Sequence, residues 1–206
     1  MTVAIVDCGS GNLHSAAKAF ERAAREAADA QPIVVTNDPD VVRNADRIVL
    51  PGVGAFHDAM TNLRQLNLLD PFVANVKSGT PALGICLGMH LLFSESEEFG
   101  LHEGLNLIGG RVVRLPGGLR VPHMGWNQLH AKRSNGLTQG VQESSFVYFV
   151  HSYYVEPESA EIVLATTDYG IEFPAIVHWK NIWATQFHPE KSQHVGERLL
   201  DNFARL

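Results

Sequence analysis

Cysteine is scarce: the 206-residue chain carries only Cys8 and Cys86. Two thiols make neither a disulfide framework nor a zinc site, so each has to be explained singly. No apolar run is long enough for a membrane span. The start, MTVAIVDCGS, has neither the basic residues nor the long apolar stretch of a signal peptide. The expectation is a cytoplasmic protein that does not enter a membrane. Positive charge is also in deficit, with 16 Lys and Arg against 22 Asp and Glu and a formal net charge of −6. That balance argues against a nucleic-acid partner, which needs a basic face. The basic cluster AKRSNG, 131–136, reads as a solvated loop. Linkers, repeats and low-complexity segments are lacking, so a single domain over 1–206 is expected.

What is present is an ordinary globular composition, 45% hydrophobic and 18% charged, long enough to bury a core. VAIVD at 3–7 reads as a buried strand entering a tight turn, CGSGN. The Ala-rich stretch 13–30 has helical spacing, with Ser10 or Asn12 as its cap. Strands follow at 33–36 and within 45–56, the second entering the Gly-rich turn of LPGVGAF. Helices are predicted over 56–66 and 70–77, then a strand in TPALGIC and a helix in LGMHLLF. The alternation predicts an α/β fold with a mostly parallel twisted sheet flanked by helices. The second half is richer in short β-type runs, at 109–115, 125–130, 145–155, 161–167 and 175–190. These are expected as extra antiparallel strands able to extend the same sheet, with a hairpin turn at Lys180 and Asn181. A last helix is predicted over 194–206.

Ligands of open sheets bind beyond the C-terminal ends of the parallel strands. Three turns fall there, at 8–12, 51–54 and 86–88. The last, Gly84-Ile85-Cys86-Leu87-Gly88, has the form of a nucleophile elbow with Cys in place of Ser. A sharp strand-to-helix turn forces the central residue into a strained conformation and pushes its side chain out. Glycines on either side let strand and helix pack without Cβ clashes. The helix that follows aims its N–H groups at the sulfur, which favours the thiolate, and the Leu87 N–H is placed for an oxyanion. The alternative is a buried cysteine acting as a small hydrophobe.

A thiolate nucleophile needs a base and the base an orienting group. QFHPEKS, 186–192, offers His188 and Glu190 two positions apart. In an extended segment they share a side, so Glu190 can bond one ring nitrogen and leave the other for Cys86. A plain surface turn before the last helix is the alternative. In LPGVGAF, an amide among Gly52, Val53 and Gly54 can supply a second oxyanion donor. That turn lacks the Gly-Lys-Ser/Thr of a P-loop and the spacing of a dinucleotide fingerprint.

GICLGMH, PGVG and FHPEKS together resemble the class I, triad-type glutamine amidotransferases. Within them VDCGSGNLHS, LPGVGAF, PHMGWN and YFVHSYY are similar to the glutaminase subunits of imidazole glycerol phosphate synthase, over essentially the whole chain. The resemblance implies a flavodoxin-like α/β fold and a triad of nucleophile Cys86, acid/base His188 and orienting Glu190. It implies an oxyanion hole from Leu87 and the Gly52–Gly54 amides, and glutamine contacts at Glu98, His151, Ser152 and Tyr153. It also implies a (β/α)₈-barrel synthase subunit as partner, met by Pro122, His123, Met124, Trp126, Asn127 and Lys191, with L-glutamine as substrate and no cofactor. The family usually has Gln four residues after the nucleophile. Here it is His90, whose titratable ring puts the pH dependence of glutamine binding in question.

Cys8 is expected to pack, and His14, His57 and His102 to lie on helix or loop surfaces. His178, His188 and His194 lack metal-site spacing, so no metal is expected. Two other readings are a partner-independent cysteine hydrolase of the same fold and a flavodoxin-like phosphate-cofactor binding module using CGSGN.

Overall fold

The computed structural model describes residues 2–9, 13–24 and 32–206. The first half alternates as the sequence pattern requires. Strand β1 (Val3–Val6) leads to α1 (Leu13–Ala24), then β2 (Ile33–Thr36), α2 (Pro39–Arg43) and β3 (Arg47–Gly52). Helices α3 (Phe56–Gln65) and α4 (Leu69–Lys77) precede β4 (Ala82–Cys86) and the short α5 (Leu87–Leu92). β5 (Phe93–Ser96), β6 (His102–Glu103), β7 (Ile108–Arg114), β8 (His123–Gln128) and β9 (His130–Ala131) follow. Next come β10 (Phe146–His151), β11 (Tyr153–Pro157), β12 (Val163–Asp168), β13 (Glu172–Trp179) and β14 (Ile182–Thr185). Helix α6 (Gln193–Arg205) closes the described chain.

The main sheet runs β2-β1-β3-β4-β14-β13-β12-β9. Its first five strands are mutually parallel, and the rest are antiparallel. Alternation along each strand feeds two cores. Ile48 and Leu50 join α2 to α5 on one face, with Phe56, Met60, Phe72 and Leu92. Val49, Leu83 and Ile85 join α1 and α6 on the other, with Phe20, Leu199 and Phe203. Phe20 and Phe203 meet edge to face, 6.2 Å between ring centroids.

Four sequence expectations change. The one-turn helix α2 was not foreseen. Five residues are too short to show a period, and it stands on its cap, where Asp38 accepts the Asp40 N–H, with Pro39 opening the helix. The helix after Cys86 ends at Leu92, and Phe93 already belongs to β5. The run 145–155 is two strands in two sheets, parted at Ser152. Only part of the second half extends the main sheet. β8 and β10 form a separate antiparallel ribbon, and β11-β7-β5-β6 a small mixed sheet. The Lys180–Asn181 turn is as expected, with Lys180 at φ +56. The expected caps Ser10 and Asn12, the 8–12 turn beyond Gly9, and the helix beyond Ala24 lie outside the described residues.

Candidate active site

β3, β4 and β14 end side by side, since Gly52 pairs with Cys86 and Thr185 with Ile85. Three loops therefore converge at one sheet edge. Cys86 stands at the β4–α5 junction with φ +53 and ψ −108. A non-glycine residue there stores roughly 1–3 kcal/mol of strain, so its neighbours must hold it. Both flanking glycines are required. A Cβ on Gly88 would sit 1.7 Å from the Leu50 carbonyl oxygen, and one on Gly84 2.9 Å from the Gly88 carbonyl oxygen. The sulfur is not thrust into solvent as the elbow pattern suggested. Cys86 is 6% exposed, and Sγ lies 3.8 Å from the Val150 carbonyl oxygen. With α5 only six residues long, its contribution is the local N–H groups of one turn rather than a long-helix dipole.

His188 and Glu190 follow β14. They come together through a 3₁₀ turn, Pro189–Lys191, not through an extended segment. His188 Nδ1 lies 2.7 Å from Glu190 Oε1, with the two side chains 2% and 5% exposed. The backbone around His188 is fixed by groups that sequence reasoning missed. Its N–H donates to the Tyr148 carbonyl at 2.9 Å. Ser192 Oγ donates to the His188 carbonyl at 2.7 Å and accepts the Tyr148 N–H at 3.0 Å. His188 Nε2 is buried with no nitrogen or oxygen partner, and the ring's neighbour besides Glu190 is the Cys86 sulfur. Burial alone would lower the His188 pKa. The hydrogen-bonding and charge interactions of Cys86 and then Glu190 outweigh it and raise the ring to about 10. The imidazolium is thus the stable form at neutral pH.

A cavity of about 270 Å³ opens over Cys86. It is lined by Cys86 and Leu87 of the elbow, by Val53 and Gly54 after β3, and by His151, Ser152 and Tyr153 where β10 gives way to β11. His90, Glu98, Pro122 and Val150 complete it. Val150 was missed because it sits inside an ordinary alternating strand. Gly52 lies behind the lining, where a Cβ would be 3.0 Å from Leu87 Cβ. Gly54 adopts φ +99, a conformation open to glycine. Glu98 accepts the Phe56 N–H at 2.7 Å, tying the segment after β5 to the start of α3. Partial burial raises its pKa, against that hydrogen bond.

His90 is buried, and its Nε2 lies 2.9 Å from Gln186 Oε1. Desolvation lowers its pKa to about 4 despite that bond, so the ring is neutral wherever the protein is folded near pH 7. Gln186, directly after β14, is fully buried, and sequence reasoning gave it no role. Its sign in the sequence is a polar residue directly after an apolar strand at the ligand edge.

Among the residues expected to meet a partner, Met124 is 62% and Trp126 45% exposed. Pro122 is exposed at the cavity rim, and the Lys191 ammonium lies 5.7 Å from the Tyr148 ring centroid. Phe146, not anticipated, is 54% exposed. His123 does not present its ring to the surface. It is 3% exposed and stacks on Tyr169 and Phe149, at 4.0 and 4.8 Å between centroids, because inner and outer residues alternate along β8. Asn127 is half-buried and donates to the Asp168 carbonyl. Cys8 is buried. Of the histidines expected on helix or loop surfaces, His102 lies on β6 against His57, 4.7 Å between rings. Among the described residues, no group of three His, Cys, Asp or Glu side chains could hold a metal ion.

A strained cysteine paired with a histidine–carboxylate couple at the edge of an α/β sheet defines a class of acyl-transfer enzyme. Comparison with known proteins narrows it. The family described as glutamine amidotransferase class-I matches residues 4–206, and the chain belongs to that family. The imidazole glycerol phosphate synthase subunit HisH of Syntrophotalea carbinolica is 54% identical over 99% of this chain and 100% of its own length. That of Aquifex aeolicus is 49% identical over 100% of this chain and 97% of its own. A solved glutamine amidotransferase shares the fold, with a TM-score of 0.74 and 19% identity over 98% of this chain and 97% of the other.

Proposed function

We propose that the chain is the glutaminase subunit of an imidazole glycerol phosphate synthase in histidine biosynthesis, acting in the cytoplasm as one domain over 1–206. The observation that carries this reading is Cys86 at a positive-φ elbow, beside a buried His188–Glu190 pair, lining a cavity sized for a small amino acid.

The Cys86 thiolate attacks the side-chain amide carbon of glutamine, and the C–O π electrons move to oxygen. The Leu87 N–H and an amide of the Gly52–Gly54 segment face that oxyanion, each worth about 3–4 kcal/mol in comparable enzymes. The His188 imidazolium gives its proton to the departing nitrogen, and ammonia leaves as the thioester forms. Neutral His188 then takes a proton from water, whose oxygen attacks the thioester, and glutamate is released with the thiolate restored. Glu190 holds Nδ1 and steadies the imidazolium. Glu98, His90 and the His151–Tyr153 wall orient the substrate.

Ammonia that escapes into water takes up a proton and stops being a nucleophile, so a partner must cover the mouth. One ribbon supplies both needs. β10 carries Val150 into the cavity wall, and its outer face and that of β8 carry the exposed Met124, Trp126 and Phe146 alongside. These, with Lys191, are the surface for a (β/α)₈-barrel synthase subunit. An electrophilic glutamine analogue tests the reading. It should inactivate glutaminase activity and label Cys86, faster with the synthase subunit present. A label elsewhere, or full activity in Cys86→Ala, would refute it.

A further inference from the structure

The cavity wall at His151 is tied to the outer strand β8 by side chains the triad does not use. The ribbon sets His123 opposite His151. His151 Nδ1 lies 2.9 Å from the Tyr153 carbonyl oxygen. His123 Nδ1 lies 3.0 Å from His151 Nε2. Asn127 Nδ2 lies 3.3 Å from His123 Nε2 and 2.8 Å from the Asp168 carbonyl oxygen. Asn127 Oδ1 accepts the Gln128 N–H at 2.8 Å.

Both ends of this chain are backbone groups, and their polarity leaves one arrangement. A carbonyl only accepts and an amide N–H only donates. Asn127 must turn its NH₂ toward Asp168 and His123, so His123 Nε2 carries a lone pair. The Tyr153 carbonyl needs the His151 proton on Nδ1, so His151 Nε2 also carries a lone pair. His123 Nδ1–H fills the place between them. A further proton has nowhere to go. On His123 Nε2 it would meet the Asn127 amide hydrogens, and on His151 Nε2 it would meet His123 Nδ1–H. Burial acts in the same direction, lowering His123 to about 4 and His151 to about 3. Stacking between Tyr169 and Phe149 keeps the His123 ring from turning away.

The chain ends where the cavity wall changes sheets. At that corner Leu115 N–H holds the Ser152 carbonyl at 3.0 Å, and the His151 ring holds the Tyr153 carbonyl. We propose that His123 and Asn127 are positioning residues for the glutamine pocket, whose one-way hydrogen-bond chain fixes His151 and through it the Ser152–Tyr153 wall. This rests on the glutaminase reading. The outer end of the chain lies next to the exposed Trp126, so it also runs from the proposed partner surface to the substrate.

His123→Phe keeps a ring stacked between Tyr169 and Phe149 but removes the Nδ1–H that His151 Nε2 accepts, leaving His151 without its outer partner. The expected result is a folded protein whose KM for glutamine rises roughly tenfold, the scale of one hydrogen bond lost, with kcat little changed. An unchanged KM would overturn the proposal. The second measurement needs no activity. In ¹⁵N-histidine NMR of the wild type, His123 and His151 should both show protonated Nδ1 and bare Nε2. Protonated Nε2 on either ring would overturn the proposal and leave the glutaminase reading standing. A wild type without glutaminase activity would refute that reading while the tautomers stayed as expected.

Discussion

At the residue scale, the site depends on two opposed pressures on His188. Burial disfavours its charge, while Cys86 and Glu190 favour it more and bring the ring to about 10. Removing Cys86 takes away the larger favourable partner. In Cys86→Ala the His188 pKa should therefore fall well below that of the wild type, as followed by NMR titration, and glutaminase activity should drop by on the order of 10⁴-fold or more. The linkage has a definite sign. A folded-state pKa above the unfolded value of about 6.5 stabilises fully below that pH and is lost as pH rises through about 10. Glu190→Gln keeps the shape and loses the charge. It should lower kcat by up to about 10⁴-fold, as when the orienting carboxylate of a serine triad becomes an amide. The residues proposed as the triad were legible in the sequence because their motifs are local: a cysteine framed by glycines, and a histidine two residues before a carboxylate. Their supports were not. Ser192 acts through Tyr148, 44 residues earlier, and Gln186 through His90, 96 residues earlier. Such pairs become visible only when the sheet places them together.

At the scale of elements, the β4–α5 elbow is held by space that side chains do not occupy. Gly88→Ala would drive a Cβ to 1.7 Å from the rigid Leu50 carbonyl. It should cost at least about 3 kcal/mol in denaturant unfolding, the upper range for overpacking, and lower activity as Cys86 shifts. Gly54→Ala is a contrasting case, because nothing lies within 4 Å of the added Cβ while φ is +99. Its cost should be only about 1–3 kcal/mol, from backbone strain, with a larger relative loss of glutaminase rate if this segment supplies an oxyanion amide. The parallel strands were readable from apolar runs of four to six residues. The break at Ser152 was not, because Phe146 to Val155 reads as one β-type run of aromatic and β-branched residues with a single serine in it. What parts them is the pairing of one with β8 and the other with β7, a non-local choice.

At the scale of the whole molecule, three histidines are held neutral against an ordinary pKa of about 6.5: His90 and His123 at about 4 and His151 at about 3. Their unfolded forms bind protons first. Stability should therefore fall as pH drops from about 6.5 toward 4, a window in which the His188 contribution is already complete, and His90→Gln should flatten that slope in thermal melts. The fold class was plain from the strand–helix alternation, whereas the ribbon that carries both cavity wall and exposed apolar residues emerged only in three dimensions. If that surface receives the synthase subunit, Trp126→Ala should weaken the complex by roughly tenfold or more in titration calorimetry and leave the melting temperature unchanged. The most direct measurement is glutamine hydrolysis by the wild type and Cys86→Ala, each with and without the synthase subunit. The predicted result is slow hydrolysis by the wild type alone, a sharp rise in the complex, and no detectable glutaminase activity from Cys86→Ala in either state. Hydrolysis by Cys86→Ala at the wild-type rate would contradict it.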